Sequence, residues 1–293
     1  MVNAHILSVD VERWSDATLL AGQVQRDVGQ PLVRAQTERV LRILAQASVR
    51  ATFFVLGEVA RDNPGLVQEI ADHGHEIGCH GWTHDLLADL GRERLEHDLS
   101  RARRLLQELS GQPVAAFRAP TWSLDRQAPW AAAVIRQTGF TVDMSIFDGR
   151  HGPYGEPISI GRPFRLATSG GDLWEFPTSV RSWSGLRVGG GFYWRVLPRR
   201  WVAASYAAKA HPAVGYLHPW EVGRVDWQFP EAVPAGVRFT MTAGVDAFEE
   251  KLGWLLSVIP WQRSCDVVES EVVEQWPRLS LSASGLKVVE EGE

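Results

Sequence analysis

Four short stretches of the chain carry residues able to do hydrolytic chemistry. Asp10-Val11-Glu12 closes an apolar run that begins at Ile6. Two carboxylates two positions apart point to the same side if the extended backbone continues. One can then bind a cation while the other stays free as a base, although a solvated turn would carry the same pair. His80-Gly81-Trp82-Thr83-His84 comes directly after a second apolar run. Two imidazoles four positions apart can meet at one metal ion, and exposed helices also produce such pairs by chance. Joined to a carboxylate, they make a two-His, one-carboxylate set that leaves positions open for water and substrate. Arg118, in Phe117-Arg118-Ala119-Pro120, can keep a carboxylate ionised and fix its direction, or form an ordinary surface ion pair. His218, in Tyr216-Leu217-His218-Pro219-Trp220-Glu221, suits a general acid at neutral pH, while a satisfied core histidine is the plainer reading.

These residues need elements to position them. Strand signals fall at residues 6–10, 50–56, 76–79, 115–118 and 140–143. Helical signals lie between them. Val33, Thr37, Val40, Leu41 and Leu44 share one face, and Asn63-Pro64 opens a helix that ends near Gly74. Residues 92–109 carry a leucine stripe, and Asp125 caps a helix that stops at Gly139. This alternation predicts parallel strands with helices outside. The second half is less regular, with strands at 173–177 and 214–218 and helices at 198–209 and 246–259. Residues 149–163 read as a long loop. The organisation expected is one domain over residues 1–293, with a core of about 5–268 and a partly loose tail at 269–293.

Composition narrows the classes. A length of 293 residues is ordinary for one α/β barrel. A net charge of −5 gives no reason to expect nucleic acid or a membrane surface as partner. No apolar run is long enough to span a membrane. Cys79 and Cys265 cannot build a disulfide framework or a four-cysteine zinc site. The first residues show no secretion signal, so a cytoplasmic location is the expectation. Thirteen tryptophans against four tyrosines is unusual. Trp14, Trp82, Trp122 and Trp220 stand beside the stretches above, and either line a sugar site or fill core.

Taken in order, Ser8-Val9-Asp10-Val11-Glu12, the run from Ala51 to Gly57, Gly74-His75-Glu76-Ile77-Gly78-Cys79-His80 through His84, Phe117-Arg118-Ala119-Pro120 and Tyr216-Leu217-His218-Pro219-Trp220-Glu221 resemble the polysaccharide deacetylase family. This is the group with the NodB homology domain, carbohydrate esterase family 4. The resemblance covers roughly residues 5–268. The Asp-Val-Glu form, the glycine-rich 189–195 stretch and the His-Pro-Trp-Glu ending are most similar to the branch found near exopolysaccharide gene clusters.

The resemblance implies a distorted (β/α) barrel with about seven parallel strands. It implies Asp10 as catalytic base, His218 as catalytic acid and Arg118 as the residue that orients the base. It implies Glu12, His80 and His84 as ligands of one divalent metal, zinc first, with cobalt or nickel also fitting. The reaction implied is hydrolytic removal of the acetyl group from an N-acetylated amino sugar: a small sugar, a sugar nucleotide, a glycosylated metabolite or a glycan. Trp14, Trp122, Trp220, Glu221 and Arg13 are the expected substrate contacts, and Glu175 falls on a further family strand. Two departures stand out. Arg13 replaces an acidic residue of the branch, and could meet an anionic substrate group or weaken cation binding. The Asp-x-Glu spacing differs from the adjacent acidic pair of the commoner branch. An amidohydrolase acting on ureides or formamides is the alternative on this scaffold. A non-catalytic carbohydrate-binding barrel is another, against which stand Asp10, His80, His84, Arg118 and His218, all present.

Overall fold

The first strand, β1 (His5–Val11), is buried at all seven positions. Burial on both faces is the mark of a parallel strand covered by helices. The chain beyond it alternates accordingly: α1 (Gln30–Ala47), β2 (Thr52–Val55), α2 (Gly57–Asp62), α3 (Pro64–Asp72), β3 (Glu76–Cys79), α4 (Leu87–Leu90), α5 (Arg92–Ser110), β4 (Ala116–Phe117), α6 (Ala131–Gln137) and β5 (Val142–Asp143). The second half adds β6 (Phe164–Ala167), β7 (Leu173–Glu175), α7 (Gly191–Val196), α8 (Arg199–Ala207), β8 (Val214–Leu217), α9 (Ala235–Thr242) and α10 (Val245–Val258). It ends with β9 (Trp261–Gln262), α11 (Ser264–Ser270), β10 (Arg278–Ser282) and β11 (Gly285–Val288). This computed structural model describes residues 4–149, 155, 161–178, 180–182, 185–223, 227, 229–270 and 273–289.

Seven strands run parallel in the order β8-β1-β2-β3-β4-β5-β7. This is the distorted (β/α) barrel that the sequence implies. The distortion lies between β7 and β8, which no continuous ladder joins among the described residues. Single bridges span the gap instead. Thr178 pairs with Phe147, the Val188 N–H donates to the Val180 carbonyl at 2.8 Å, and Gly190 pairs with Tyr216 of β8. A side chain at Gly190 would collide with the Tyr216 carbonyl, so this closure needs glycine.

Two expectations are corrected. The tail is not loose over residues 278–288: β10 pairs with β6, and Leu279 and Leu286 join the buried core with Phe164 and Leu166. The helix expected from Asp125 begins only at Ala131, and the Asp125 carboxylate instead accepts the Gln127 N–H at 2.8 Å. The short α7 and α9 are not legible in the sequence, because neither carries a periodic apolar stripe of useful length. Most of the loop expected at 149–163 lies outside the described residues. Among the described residues no helix is long and apolar enough to cross a membrane.

Candidate active site and metal centre

The chemistry-bearing residues leave the barrel at the C-terminal ends of β1, β3, β4 and β8, where barrel enzymes carry their sites. Register brings them together. Cys79 pairs with Phe117, which sets His80 beside Arg118, and Val9 pairs with Leu217, which sets Asp10 beside His218.

Glu12, His80 and His84 are buried, and each offers one ligand atom within 4.8 Å of the others. Glu12 Oε2 lies 2.8 Å from His84 Nε2 and 3.6 Å from His80 Nε2. Among the described residues this oxygen accepts no aligned hydrogen bond, although it is fully buried. An orphaned carboxylate oxygen facing two imidazole nitrogens is expensive unless a cation completes it. His80 Nδ1–H donates to the Arg118 carbonyl at 2.8 Å, which leaves the Nε2 lone pair for a metal. Two nitrogens and one oxygen suit zinc, cobalt or nickel. The residues therefore fit the metal that the family implies. Burial opposes ionisation of Glu12, but the charges of His84 and His218 outweigh it and hold its carboxyl well below the usual range. His84 moves the other way: burial disfavours its proton, and the Glu12 carboxylate more than offsets this. A metal ion would displace that proton.

Asp10 is separate from this trio. Arg118 Nη1 donates to Asp10 Oδ1 at 2.7 Å, with both side chains buried. The guanidinium stacks 4.5 Å over the Phe54 ring and is held at its other edge by Met144. Gly78 makes room for that ring, since a Cβ there would lie 2.6 Å from it. The backbone beyond Arg118 is strained: Thr121 and Trp122 both take left-handed φ, 57° and 53°. Such strain persists only where surroundings over-determine it. Here Ser145 accepts the Ala119 N–H at 2.8 Å, and the Trp122 indole donates to Thr178 at 3.1 Å.

His218 also faces Glu12, with Nε2 3.7 Å from Glu12 Oε1. Its Nδ1–H donates to Glu221 Oε2 at 3.0 Å, and its backbone N–H reaches the same oxygen at 2.9 Å. The other Glu221 oxygen accepts from Arg195 Nε at 3.0 Å. Burial opposes the His218 proton, but Glu12 and then Glu221 push its pKa up to about 9. Arg195 is the residue that sequence reasoning misses. It is buried and also donates to the carbonyls of Thr240, Met241 and Ala243. The glycine-rich 189–195 stretch is visible in the sequence, and the need to balance a buried Glu221 points to its last residue.

The expected substrate contacts divide. Trp122, Trp220 and Glu221 line a cavity of about 650 Å³ above the site. Trp220 is nonetheless committed inward. Its indole N–H points to Glu12 Oε1 at 3.3 Å, and its ring stacks on His218 at 4.7 Å. Trp14 does not reach the cavity; it is buried against Trp227 and Phe229. Arg13 is buried too, bonded to Asp16 at 2.7 Å and Glu58 at 2.9 Å, and is not available to a substrate anion. Trp82 packs on Gly57 beneath Arg101. Arg13 and Trp14 fill core because the chain turns into a 3-10 helix straight after Glu12, which swings them out of the barrel mouth.

Glu175 has a partner that the sequence does not announce. It sits opposite Asp143 across the β5–β7 ladder, and both are fully buried. Asp143 Oδ1 accepts from Ser145 and Glu175 Oε1 from the Ile146 N–H, while the remaining oxygen of each has no donor among the described residues. Burial raises the pKa of both, and Asp143 raises that of Glu175 further, so the pair retains a proton.

Comparison with known proteins agrees with this geometry. Residues 27–142 match the polysaccharide deacetylase family model, and residues 144–269 match a domain of unknown function (DUF3473). His80, His84 and Arg118 fall in the first segment and His218 in the second, while Asp10 and Glu12 precede both. A peptidoglycan-N-acetylglucosamine deacetylase of Bacillus cereus is 35% identical over 96 residues, 32% of this chain and 35% of that protein. A chitooligosaccharide deacetylase of Sinorhizobium fredii is 36% identical over 110 residues, 36% of this chain and 51% of that protein. The matched stretch thus spans only about a third to a half of each of these relatives. A solved structure from Mycobacterium smegmatis, assigned to the polysaccharide deacetylases, superposes with a TM-score of 0.61 at 19% identity, covering 94% of this chain and 92% of that one. The Puue allantoinase superposes at 0.60 with 15% identity, covering 91% and 89%. At such identities these two likenesses speak for the fold alone. Over residues 27–142 the chain matches the polysaccharide deacetylases, and its barrel gathers around that segment the residues by which the sequence resembles the family.

Proposed function

We propose that this protein is a metal-dependent hydrolase that removes the acetyl group from an N-acetylated amino sugar, with zinc as its metal. The observation that carries the reading is the set of groups around one cavity. The Glu12–His80–His84 trio, the Asp10–Arg118 pair and the His218–Glu221–Arg195 chain all line it. The two curated relatives named above are described as deacetylases of N-acetylglucosamine units and chitooligosaccharides, which supports this substrate chemistry.

A divalent ion held by Glu12, His80 and His84 would supply Lewis acidity toward the acetyl carbonyl. Asp10, fixed by Arg118, takes the proton from the attacking water. Its separation from the metal trio leaves it free to do so. His218 is protonated at neutral pH and gives its proton to the leaving amine, which would otherwise depart as a poor anion.

The test is acetate release from N-acetylglucosamine, its oligomers and its nucleotide sugars, with zinc, cobalt or nickel added. Asp10→Asn should keep about one metal per chain while the rate falls by ~10² or more. Glu12→Ala should lower metal content. Release of ammonia or formate instead of acetate, or full activity without metal, would overturn the proposal.

A further inference from the structure

We propose that the substrate joins its acetamido sugar to an apolar group, and that the outer half of the cleft seats that group. The inference rests on the N-deacetylase reading and goes beyond it by naming what the sugar is attached to.

The cavity of about 650 Å³ extends well past the catalytic groups. Beyond them its described walls include Leu19, Trp122, Phe192, Tyr193 and Met241. The cationic side chains in those walls are already committed. Arg118 is bonded to Asp10, and Arg195 to Glu221 and three carbonyls. Thr18 and Thr121 hydrogen-bond to each other at 2.5 Å. Among the described lining residues there is no asparagine, glutamine or lysine, and no carboxylate outside the catalytic end. A second sugar ring would bring several hydroxyl groups into described walls whose side chains offer few partners beyond the Tyr193 and Tyr216 hydroxyls, and each unanswered group costs free energy. A diphosphate or a uronate would find no uncommitted cation among these lining residues.

Apolar surface continues outward instead. Leu19 is 50% exposed and Phe239 62% exposed. Phe239 lies 6.3 Å from Phe192, so the two rings carry the wall of the cleft to the outer surface. The rim is built, because Trp14, Trp220 and Met241 pack beneath it in one buried cluster. Contiguous exposed apolar surface running into a cavity marks a binding site rather than scattered surface residues. An alkyl or an aryl group meets this chemistry, borne on a soluble glycoside or on a lipid.

The test uses the zinc-loaded full chain and acetate release from the methyl, butyl, octyl and phenyl glycosides of N-acetylglucosamine, beside the unmodified tetrasaccharide. kcat/KM should be at least tenfold higher for octyl or phenyl than for methyl, through KM, the scale of burying a few apolar carbons. A gain that grows with chain length identifies an alkyl carrier, and a gain for phenyl alone identifies an aryl one. Phe239→Asp and Leu19→Asp, both at exposed positions, should bring the octyl-to-methyl ratio toward one. Equal kcat/KM across the glycosides, or preference for the tetrasaccharide, would overturn the inference. Calorimetric binding of the octyl and methyl glycosides to Asp10→Asn separates the two readings. Tight octyl binding with no acetate release from the wild type would sink the deacetylase assignment and keep the apolar seat.

Discussion

Replacing Glu221 by Gln is the most direct test of how the acid end works. The substitution keeps size and shape and removes one charge. In the wild type His218 is held protonated up to about 9, chiefly by Glu12 and then by Glu221, against the cost of burial. A metal ion on Glu12 neutralises the first of these, so in the loaded enzyme Glu221 becomes the main support. Its bond to Nδ1 is 3.0 Å long and charge-assisted. Hydrogen bonds to charged groups contribute about 1.5–3 kcal/mol, and one pKa unit corresponds to about 1.4 kcal/mol. Loss of the charge should therefore lower the His218 pKa by roughly one to two units. The alkaline limb of kcat should move down by the same amount, and the rate at pH 8 should fall accordingly. Arg195 keeps three carbonyl acceptors, so the fold should survive, which a melting curve checks. Because water on a metal also titrates near ~7, the ring nitrogens of His218 should be titrated directly by NMR in the zinc-loaded protein. An unchanged His218 titration in Glu221→Gln would show that Glu221 does not support the acid.

The same geometry sets three further outcomes. Trp220→Phe keeps an aromatic face on His218 but loses the N–H that holds Glu12, and should weaken zinc binding about tenfold in competition with a chelator; equal affinity would remove Trp220 from the metal site. The metal-free protein should lose stability as pH rises from 6.5 to about 9, because His218 titrates higher folded than unfolded. Its contribution, at most about 3 kcal/mol, is present in full below pH 6.5 and gone above 9; denaturation midpoints at pH 6 and 9 in chelator should show the fall, and a rise would contradict it. Glu175→Gln can still donate to Asp143 and should melt close to wild type, whereas Glu175→Leu leaves the second oxygen of the buried Asp143 without a partner and should cost about 1–3 kcal/mol in urea titration; equal losses would argue against a shared proton.

Much of this protein is legible in its sequence, and the legible part has a common physical basis. Strands buried on both faces must be continuously apolar, and helices that cover them must carry a stripe, so the β/α order through residue 143 is written locally. The residues at strand ends can be read too, because a carboxylate, a histidine or an arginine ending an apolar run has few structural reasons to be there. That is how Asp10, Glu12, His80, His84, Arg118 and His218 emerge, and the barrel brings all six together. What the sequence could not decide is direction and partnership. Trp14 and Arg13 stand next to Glu12 in the chain yet turn away from the cleft, since a 3-10 turn decides which way each side chain points. Trp220 is a tether for Glu12 only because β8 lies beside β1, a contact between residues 208 positions apart. Arg195 under Glu221, Glu175 against Asp143 and the strand pair at the C-terminus are likewise long-range pairings. Composition and periodicity record what a residue needs, and only the closed barrel determines which neighbour supplies it.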